Sequence, residues 1–116
     1  MIYLGTDIIE VDRIKKNINL KKDRFLSRIF TENEIEYCNS KLNSEIHYAG
    51  RFAGKEAVKK ALLSSGVLEN ISMKEIEIIS ADNIPKVNIK KLDHCINLSI
   101  SHVKQFATAT AIIIIS

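Results

Sequence analysis

The spacing of apolar residues divides the chain into segments with strand and helix periodicity. Residues 2–9 read IYLGTDII and are apolar and rich in β-branched side chains. Their alternation predicts a first strand in which Asp7 shares a face with Gly5 and Ile9. An acid at such a position is unusual, because that face would otherwise be apolar. From Glu10 onward apolar residues recur at helical spacing, which predicts a helix after the strand.

Two further helices are predicted from their end signals. The TENE sequence at residues 31–34 matches the S/T-x-x-E capping box, so a short helix should begin there and run to about Cys38. The longest helix should extend from about Glu45 to Ser65, because Gly66 favours a C-terminal cap. The polar run NSKLNSE between these helices is predicted to be a loop.

The last third of the chain carries short strand patterns. Strands are predicted at residues 74–79, 86–89, 96–101 and 106–115, with a turn around Pro85 before the second of them. The order of one strand, then helices, then several strands predicts an α+β fold. We therefore expect one domain over residues 1–116, with a largely antiparallel sheet packed on the long helix.

Composition limits the class of protein. The 116 residues are 46% hydrophobic and suffice for one core, and the formal net charge of +3 suits a polyanionic partner without requiring one. Cys38 and Cys95 lie far apart without metal-ligand spacing, which argues against a zinc site and a disulfide scaffold. No basic signal-peptide region precedes the first strand, and the apolar end is too short for a membrane span. We expect a soluble cytoplasmic protein.

The segment RFAGKEAVKKAL in the middle of the chain concentrates the candidate chemistry. On a helical wheel Arg51, Lys55 and Lys59 form one stripe, and Glu56 and Lys60 form a second. A third face consists of glycine and alanine, which should let another backbone come close. Glu56 is therefore predicted at the edge of the buried region, among cations.

Two interpretations of this helix are open from the residues alone. Glu56 and Lys60 could form a surface pair worth about 0.2–0.5 kcal/mol, with the other cations on a solvated face. Desolvating an ion costs several kcal/mol, however, so a metal and phosphate site fits a half-buried carboxylate better. The carboxylate would hold Mg²⁺, and the cations would bind phosphate oxygens. Asp7 is the natural second ligand, although an aspartate there is also common as a backbone-bonded residue at a sheet end.

Several other functions have little support. No nucleophile elbow and no P-loop are present. The alternative from a different class is a small basic α+β module that binds nucleotide or RNA without catalysis, but an aromatic content of 6% without an RNP-like cluster offers little for base stacking. A third possibility is a structural trimer without activity, and the presence of Asp7, Glu56 and Lys60 argues against it. A histidine at a strand end, such as His102, is more often structural than catalytic, and His47 and His94 carry no visible chemistry.

Three segments, in this order, resemble the holo-[acyl-carrier-protein] synthases, the small bacterial class of 4′-phosphopantetheinyl transferases. They are GTDIIEVDRI, RFAGKEAVKKAL and LSISHVKQFATATAII, and RFLSRIFTENEI between the first two is also similar. The patterns G-x-D-x-x-E-x-x-R and F-x-x-K-E-A-x-x-K are specific as a pair. The resemblance covers nearly the whole chain.

The resemblance implies a reaction in fatty acid biosynthesis. The 4′-phosphopantetheine arm of coenzyme A is transferred to a serine of apo acyl carrier protein, and adenosine 3′,5′-bisphosphate is released. By the same resemblance, Asp7 and Glu56 bind the Mg²⁺ that bridges the pyrophosphate, and Lys60 contacts the pyrophosphate and assists catalysis. Arg51 and His102 are expected near the 3′-phosphate. The coenzyme's surroundings would also include Lys55, Lys59, Pro85 and Ser101.

The resemblance also implies partners. An acidic carrier protein would dock on Arg13, Arg24 and Arg28, acting mainly through steering and orientation. The small members of the family are homotrimers with active sites between subunits. The base that takes the serine proton is either a water on the metal or Glu56, and the sequence leaves both open. The chain departs from the family where LLSSGVLEN replaces a G-T-G turn and where DNI precedes Pro85 without a glycine.

Overall fold

Two antiparallel sheets and one long helix organise the structure. The computed structural model describes residues 1–21 and 23–115. Its elements are β1 (Ile2–Glu10), α1 (Val11–Lys21), α2 (Asp23–Ile29), α3 (Glu32–Asn39), α4 (Ser44–Ser65), β2 (Glu77–Ala81), β3 (Ile84–Asn88), β4 (Ile96–His102) and β5 (Phe106–Ile114). None of the helices in the described ranges combines the length and apolar character needed to cross a membrane.

The strands pair in two separate sheets. One sheet has the order β1-β5-β4 and the other consists of β2 and β3, and every pairing is antiparallel. Helix α4 packs across the inner face of the three-stranded sheet and also contacts β2. The predicted α+β fold, with antiparallel strands on a long helix, is confirmed. The strands are divided between two sheets, which the sequence did not predict.

Helix α4 lies close to β1 because both surfaces carry small residues. Ala53, Ala57 and Ala61 on the helix have no exposed surface. A Cβ atom built on Gly5 would lie 1.8 Å from the carbonyl oxygen of Ala57, so only glycine fits this position of the strand. The close backbone approach predicted from the small-residue face is therefore made inside the chain.

The helix ends agree with their sequence signals. The Thr31 hydroxyl accepts a hydrogen bond from the Glu34 amide, and the Glu34 carboxylate accepts one from the Thr31 amide, which is the predicted capping box at the start of α3. Helix α4 ends at Ser65, and Gly66 follows in the left-handed conformation with φ 77°. These two predictions are confirmed.

The segment before and within the second sheet differs from the prediction. Met73–Glu75 forms a single 3₁₀ turn, so β2 begins only at Glu77. The reversal between β2 and β3 is made by Asp82 and Asn83, whose φ angles are 52° and 65°, and both residue types tolerate this region better than most. Pro85 lies inside β3, opposite Ser80, and the predicted turn around it was wrong. Both strands of a two-stranded sheet are edge strands, where proline is tolerated.

The first helical region was also incompletely predicted. A separate helix, α2, follows α1 and ends just before the Phe30 that packs in the core. None of its residues is fully buried, so its apolar pattern in the sequence is weak. Lys22, between the two helices, lies outside the described residues.

Candidate active site

Strand β1 and helix α4 bring Asp7 and Lys60 together. The Lys60 ammonium lies 3.2 Å from Asp7 Oδ1 and donates a hydrogen bond of 3.0 Å to the Thr6 carbonyl oxygen. The Asp7 side chain is 16% exposed, whereas the Lys60 side chain is 52% exposed. The pair lies in an open groove of about 390 Å³ that also borders β5. A half-buried acid thus meets a cation that solvent and solutes can reach.

Glu56 lies on α4 one turn before Lys60. Its side chain is half-buried, as the sequence predicts for the edge of the core. Among the described residues Lys60 is paired with Asp7 and no ion pair includes Glu56, so the simple surface pair of Glu56 and Lys60 is not formed. Glu56 therefore remains on the stripe that contains Lys60 without a cationic partner in the described part of the chain.

Asp7 and Glu56 are the two carboxylates that the sequence predicts as metal ligands: Asp7 lines the groove with Lys60, and Glu56 lies on α4 one turn before Lys60. Within the described residues, no cluster of three or more histidine, cysteine, aspartate or glutamate side chains is present. Such a sparse, oxygen-only set suits Mg²⁺, which takes one or two carboxylates and completes its octahedron with water and phosphate oxygens.

Lys55 lies in the interior instead of on a solvated face. Its ammonium is 2.6 Å from Glu34 Oε1 and donates to the carbonyl oxygens of Met73 and Ile76 at 3.0 and 2.7 Å. An ammonium has three donors, and these contacts use all of them. Burial lowers the Lys55 pKa, which the charge of Glu34 opposes. The solvated-face interpretation is wrong for Lys55, and no free donor is left there for the coenzyme contact that the resemblance implies.

Glu34 is the residue of this region that the sequence assigned only to a helix cap. Both its side chain and that of Lys55 have no exposed surface. Its second oxygen accepts the Ile78 amide at 2.7 Å, so one carboxylate joins α3, α4 and the start of β2. No short-range signal could have shown this, because the partners are far apart along the chain.

Arg51 is held between α3, α4 and β2. Its Nη2 donates to Ser80 Oγ at 2.8 Å, and its guanidinium carbon lies 3.9 Å from the centre of the Tyr37 ring. The residue is only 6% exposed, and its Nε is buried with no hydrogen-bond partner in the described part of the protein. A solvated-face interpretation is therefore wrong for Arg51 as well.

A histidine pair lies beside Arg51. The ring centres of His47 and His102 are 5.9 Å apart, and the His47 ring is 6.0 Å from the Tyr37 ring. Burial lowers the His47 pKa, and His102, Lys41 and Arg51 lower it further. The sequence showed no chemistry at His47, because its neighbour in the structure, His102 on β4, is far away along the chain. The structure places it with both residues predicted near the 3′-phosphate.

The remaining predicted coenzyme residues are distributed around α4. Pro85 lies opposite Ser80, whose hydroxyl binds Arg51, and Lys59 is half-buried. Ser101 and His102 are consecutive in β4, so they point to opposite faces of the sheet.

The predicted partner-binding arginines lie together. Arg13, Arg24 and Arg28 are exposed on α1 and α2 and line a groove of about 320 Å³. The apolar side chains of Ile14, Phe25, Ile29 and Phe52 also line this groove. A basic groove with apolar walls suits an acidic helix that also presents an apolar residue.

Residues 3–112 match the family model of the 4′-phosphopantetheinyl transferase superfamily. The chain belongs to this superfamily, and the family resemblance noted in the sequence is confirmed.

Individual relatives carry a more specific name than the superfamily does. A holo-[acyl-carrier-protein] synthase of Chlamydia pneumoniae is 44% identical, over 97% of this chain and 96% of its own. A crystal structure of a holo-(acyl-carrier-protein) synthase from Bacillus anthracis in complex with CoA (3′,5′-ADP) has a TM-score of 0.80 and 37% identity, and covers 96% of this chain and 94% of its own. The Helicobacter pylori synthase in complex with coenzyme A has a TM-score of 0.83 and 32% identity, and covers 96% of this chain and 99% of its own.

Proposed function

We propose that this chain is a holo-[acyl-carrier-protein] synthase that transfers 4′-phosphopantetheine from coenzyme A to a serine of apo acyl carrier protein. The observation that carries the proposal is the meeting of Asp7 and Lys60, with Glu56 one turn away, in a chain 44% identical to a synthase of that name. The three residues come from two segments of the sequence that are distant along the chain.

The reaction requires positioning and charge neutralisation. The serine Oγ attacks the β-phosphorus of coenzyme A, the new O–P bond forms, the bond to the bridging oxygen breaks, and adenosine 3′,5′-bisphosphate leaves. Lys60 presents an exposed ammonium that binds a pyrophosphate oxygen and stabilises the charge on the leaving group. The serine proton passes to a base, for which the half-buried Glu56 is one candidate.

Asp7 and Glu56 are the residues that would hold Mg²⁺. When bound, the ion would neutralise charge on the pyrophosphate. Binding of Asp7 to a cation would weaken its pairing with Lys60, which would leave the ammonium free for phosphate. The open groove that Asp7 and Lys60 line supports the arrangement, because it leaves room for the diphosphate.

A transfer assay tests the proposal. The protein is incubated with coenzyme A, Mg²⁺ and an apo carrier protein, and the carrier is weighed by mass spectrometry for the added arm. Glu56→Gln and Asp7→Ala should each lower kcat about 100-fold or more, because charge stabilisation in the transition state is lost. Glu69→Gln, an exposed control, should leave it unchanged. Near-normal turnover in both site variants would overturn the assignment, as would activity that persists in EDTA.

We also propose that the chain forms a homotrimer with active sites between subunits. The outer face of the three-stranded sheet exposes Ile2, Leu4 and Ile8 of β1 and Ile114 of β5, and β1 and β5 pair so that these side chains are contiguous. An apolar patch of this kind is typical of an interaction surface.

Light scattering tests the trimer. The wild-type protein should have three times the 13.1 kDa mass of the chain, and Leu4→Glu should lower the mass. Leu42→Glu, which changes an exposed leucine in the loop before α4, should not. A monomeric wild-type protein would contradict the proposal.

A further inference from the structure

Four cationic or titratable side chains converge where α3, α4 and β4 meet. They are Lys41, His47, Arg51 and His102, and we call them the cationic cluster. Tyr37 of α3 packs against three of them: its ring lies 4.9 Å from the Lys41 ammonium, 3.9 Å from the Arg51 guanidinium carbon and 6.0 Å from the His47 ring. The aromatic ring therefore holds cations that would otherwise repel one another.

The cationic cluster has no acidic partner among the described residues. None of the ion pairs among the described residues includes a member of the cluster. Arg51 binds the neutral Ser80 hydroxyl through Nη2, and its buried Nε has no partner in the described structure. Gathering cations without a carboxylate costs free energy unless an anion binds. The geometry thus points to an anionic ligand.

His47 is the member of the cluster whose protonation such a ligand would change. Its pKa is lowered by burial and by three neighbouring basic side chains, which are His102 on β4, Lys41 after α3 and Arg51 on its own helix. A phosphate bound among these groups would oppose them and favour the imidazolium. His47 also lies one turn before Arg51, so both side chains lie on the same stripe of α4.

We propose that His47 is a further phosphate-binding residue of this enzyme, acting with Arg51 and His102, and that it takes up a proton when the phosphate binds. The ligand is a phosphate monoester, and if the proposed function holds it is the 3′-phosphate of coenzyme A. His47 then distinguishes nucleotides that carry this group from those that do not. No motif of the sequence assigned it this role.

The sign of the pH dependence follows from the two titrating partners. A phosphate monoester has its second pKa near about 6, so it is a dianion at neutral pH. In the free protein the lowered pKa leaves His47 mostly neutral there. Phosphate affinity should therefore rise as the pH falls from about 8 towards about 6, and level off when the phosphate itself becomes protonated.

Calorimetry of adenosine 3′,5′-bisphosphate binding tests this inference. Titrations of the full-length protein at one pH in two buffers of different ionisation enthalpy give the number of protons taken up. We expect uptake in the wild type. His47→Phe keeps a ring against Tyr37 and His102, and should weaken binding about tenfold, since a hydrogen bond to a charged group is lost, and reduce the proton uptake. His94→Phe, at an exposed histidine in the loop before β4, is the matched control.

Adenosine 5′-phosphate separates phosphate recognition from a general change in the pocket. It lacks the 3′-phosphate, so its affinity should be the same for wild type and His47→Phe. The inference is overturned if His47→Phe binds the bisphosphate as tightly as wild type, if proton uptake is unchanged, if both nucleotides lose affinity equally, or if wild type binds neither. Transfer activity is measured on the same preparations. If the wild type is active and His47→Phe binds the bisphosphate as the wild type does, only this inference is rejected. An inactive wild type would reject the proposed function.

Discussion

Replacement of Lys55 by methionine tests whether this lysine of α4 stabilises the fold or binds the coenzyme. Methionine has a similar unbranched shape but no charge. The change removes the ammonium that contacts Glu34 at 2.6 Å and that binds the carbonyl oxygens of Met73 and Ile76. The Glu34 carboxylate would keep its hydrogen bonds from the amides of Thr31 and Ile78 but lose its counter-ion.

The expected cost is large because the remaining charge is fully buried. Removing one partner of a buried pair destabilises a protein by about 3–5 kcal/mol, and the two carbonyl groups left without a donor contribute to that cost. The free energy of unfolding of a native protein is about 5–15 kcal/mol, so this loss is a large share of the stability. At about 4 °C per kcal/mol for a chain of this size, the melting midpoint should fall by roughly 12–20 °C.

Urea unfolding followed by circular dichroism measures the effect at a fixed protein concentration. Lys59→Met is the matched control, since Lys59 is half-buried on the same helix and forms no ion pair among the described residues. We expect the control to lie within about 0.5 kcal/mol of wild type. The double variant Glu34→Leu with Lys55→Met should lose less stability than the sum of its single variants, because the pair is coupled.

One result would refute this reasoning. If Lys55→Met unfolds at the same urea concentration as Lys59→Met but binds coenzyme A more weakly than wild type does, Lys55 contributes to coenzyme binding and not to stability. The coenzyme contact implied by the sequence would then be right, and the ion pair would not be a structural necessity.

Three other predictions follow from particular contacts. Gly5→Ala should cost about 3 kcal/mol or more, because its Cβ would lie 1.8 Å from a backbone oxygen of α4, whereas Gly50→Ala should be tolerated, since its nearest neighbour is a side-chain methyl at 3.2 Å. Arg13→Glu should raise the apparent KM for carrier protein and leave that for coenzyme A unchanged, because Arg13 lines the basic groove on α1 and α2, and a charge that steers an acidic partner acts on association. The hydroxyl of Thr31 holds the pKa of Glu77 below its ordinary 4.5, so this carboxylate stabilises the fold above pH 4.5 and loses that contribution as the pH falls further. Glu77→Gln should therefore lessen the loss of stability in acid.

Each of these has a direct check. Equal unfolding midpoints for Gly5→Ala and Gly50→Ala would show that the strand and helix can separate at little cost. The control for Arg13→Glu is Lys15→Glu on the exposed side of α1, and equal effects of Arg13→Glu on both substrates would contradict a docking role. An acid unfolding curve for Glu77→Gln that matches wild type would remove Glu77 from the pH dependence.

The sequence by itself determined the elements with short-range signals and the membership of the family. The capping box at residues 31–34, the glycine after α4 and the alternation of the first strand act within a few residues, so the tertiary structure had little freedom to change them. The motifs around Asp7 and Glu56 were enough to indicate the superfamily that the comparisons confirm.

Only the tertiary structure decided which cations of α4 are buried and which are exposed. A helical wheel gives the direction of each side chain from the helix axis, but it does not show what packs there. Lys55 meets Glu34 in the interior, Lys60 meets Asp7 at a groove, and His47 of α4 meets His102 of β4. These partners are brought together by packing between distant segments, and the environment of each charge, which sets its role, exists only once the chain has folded.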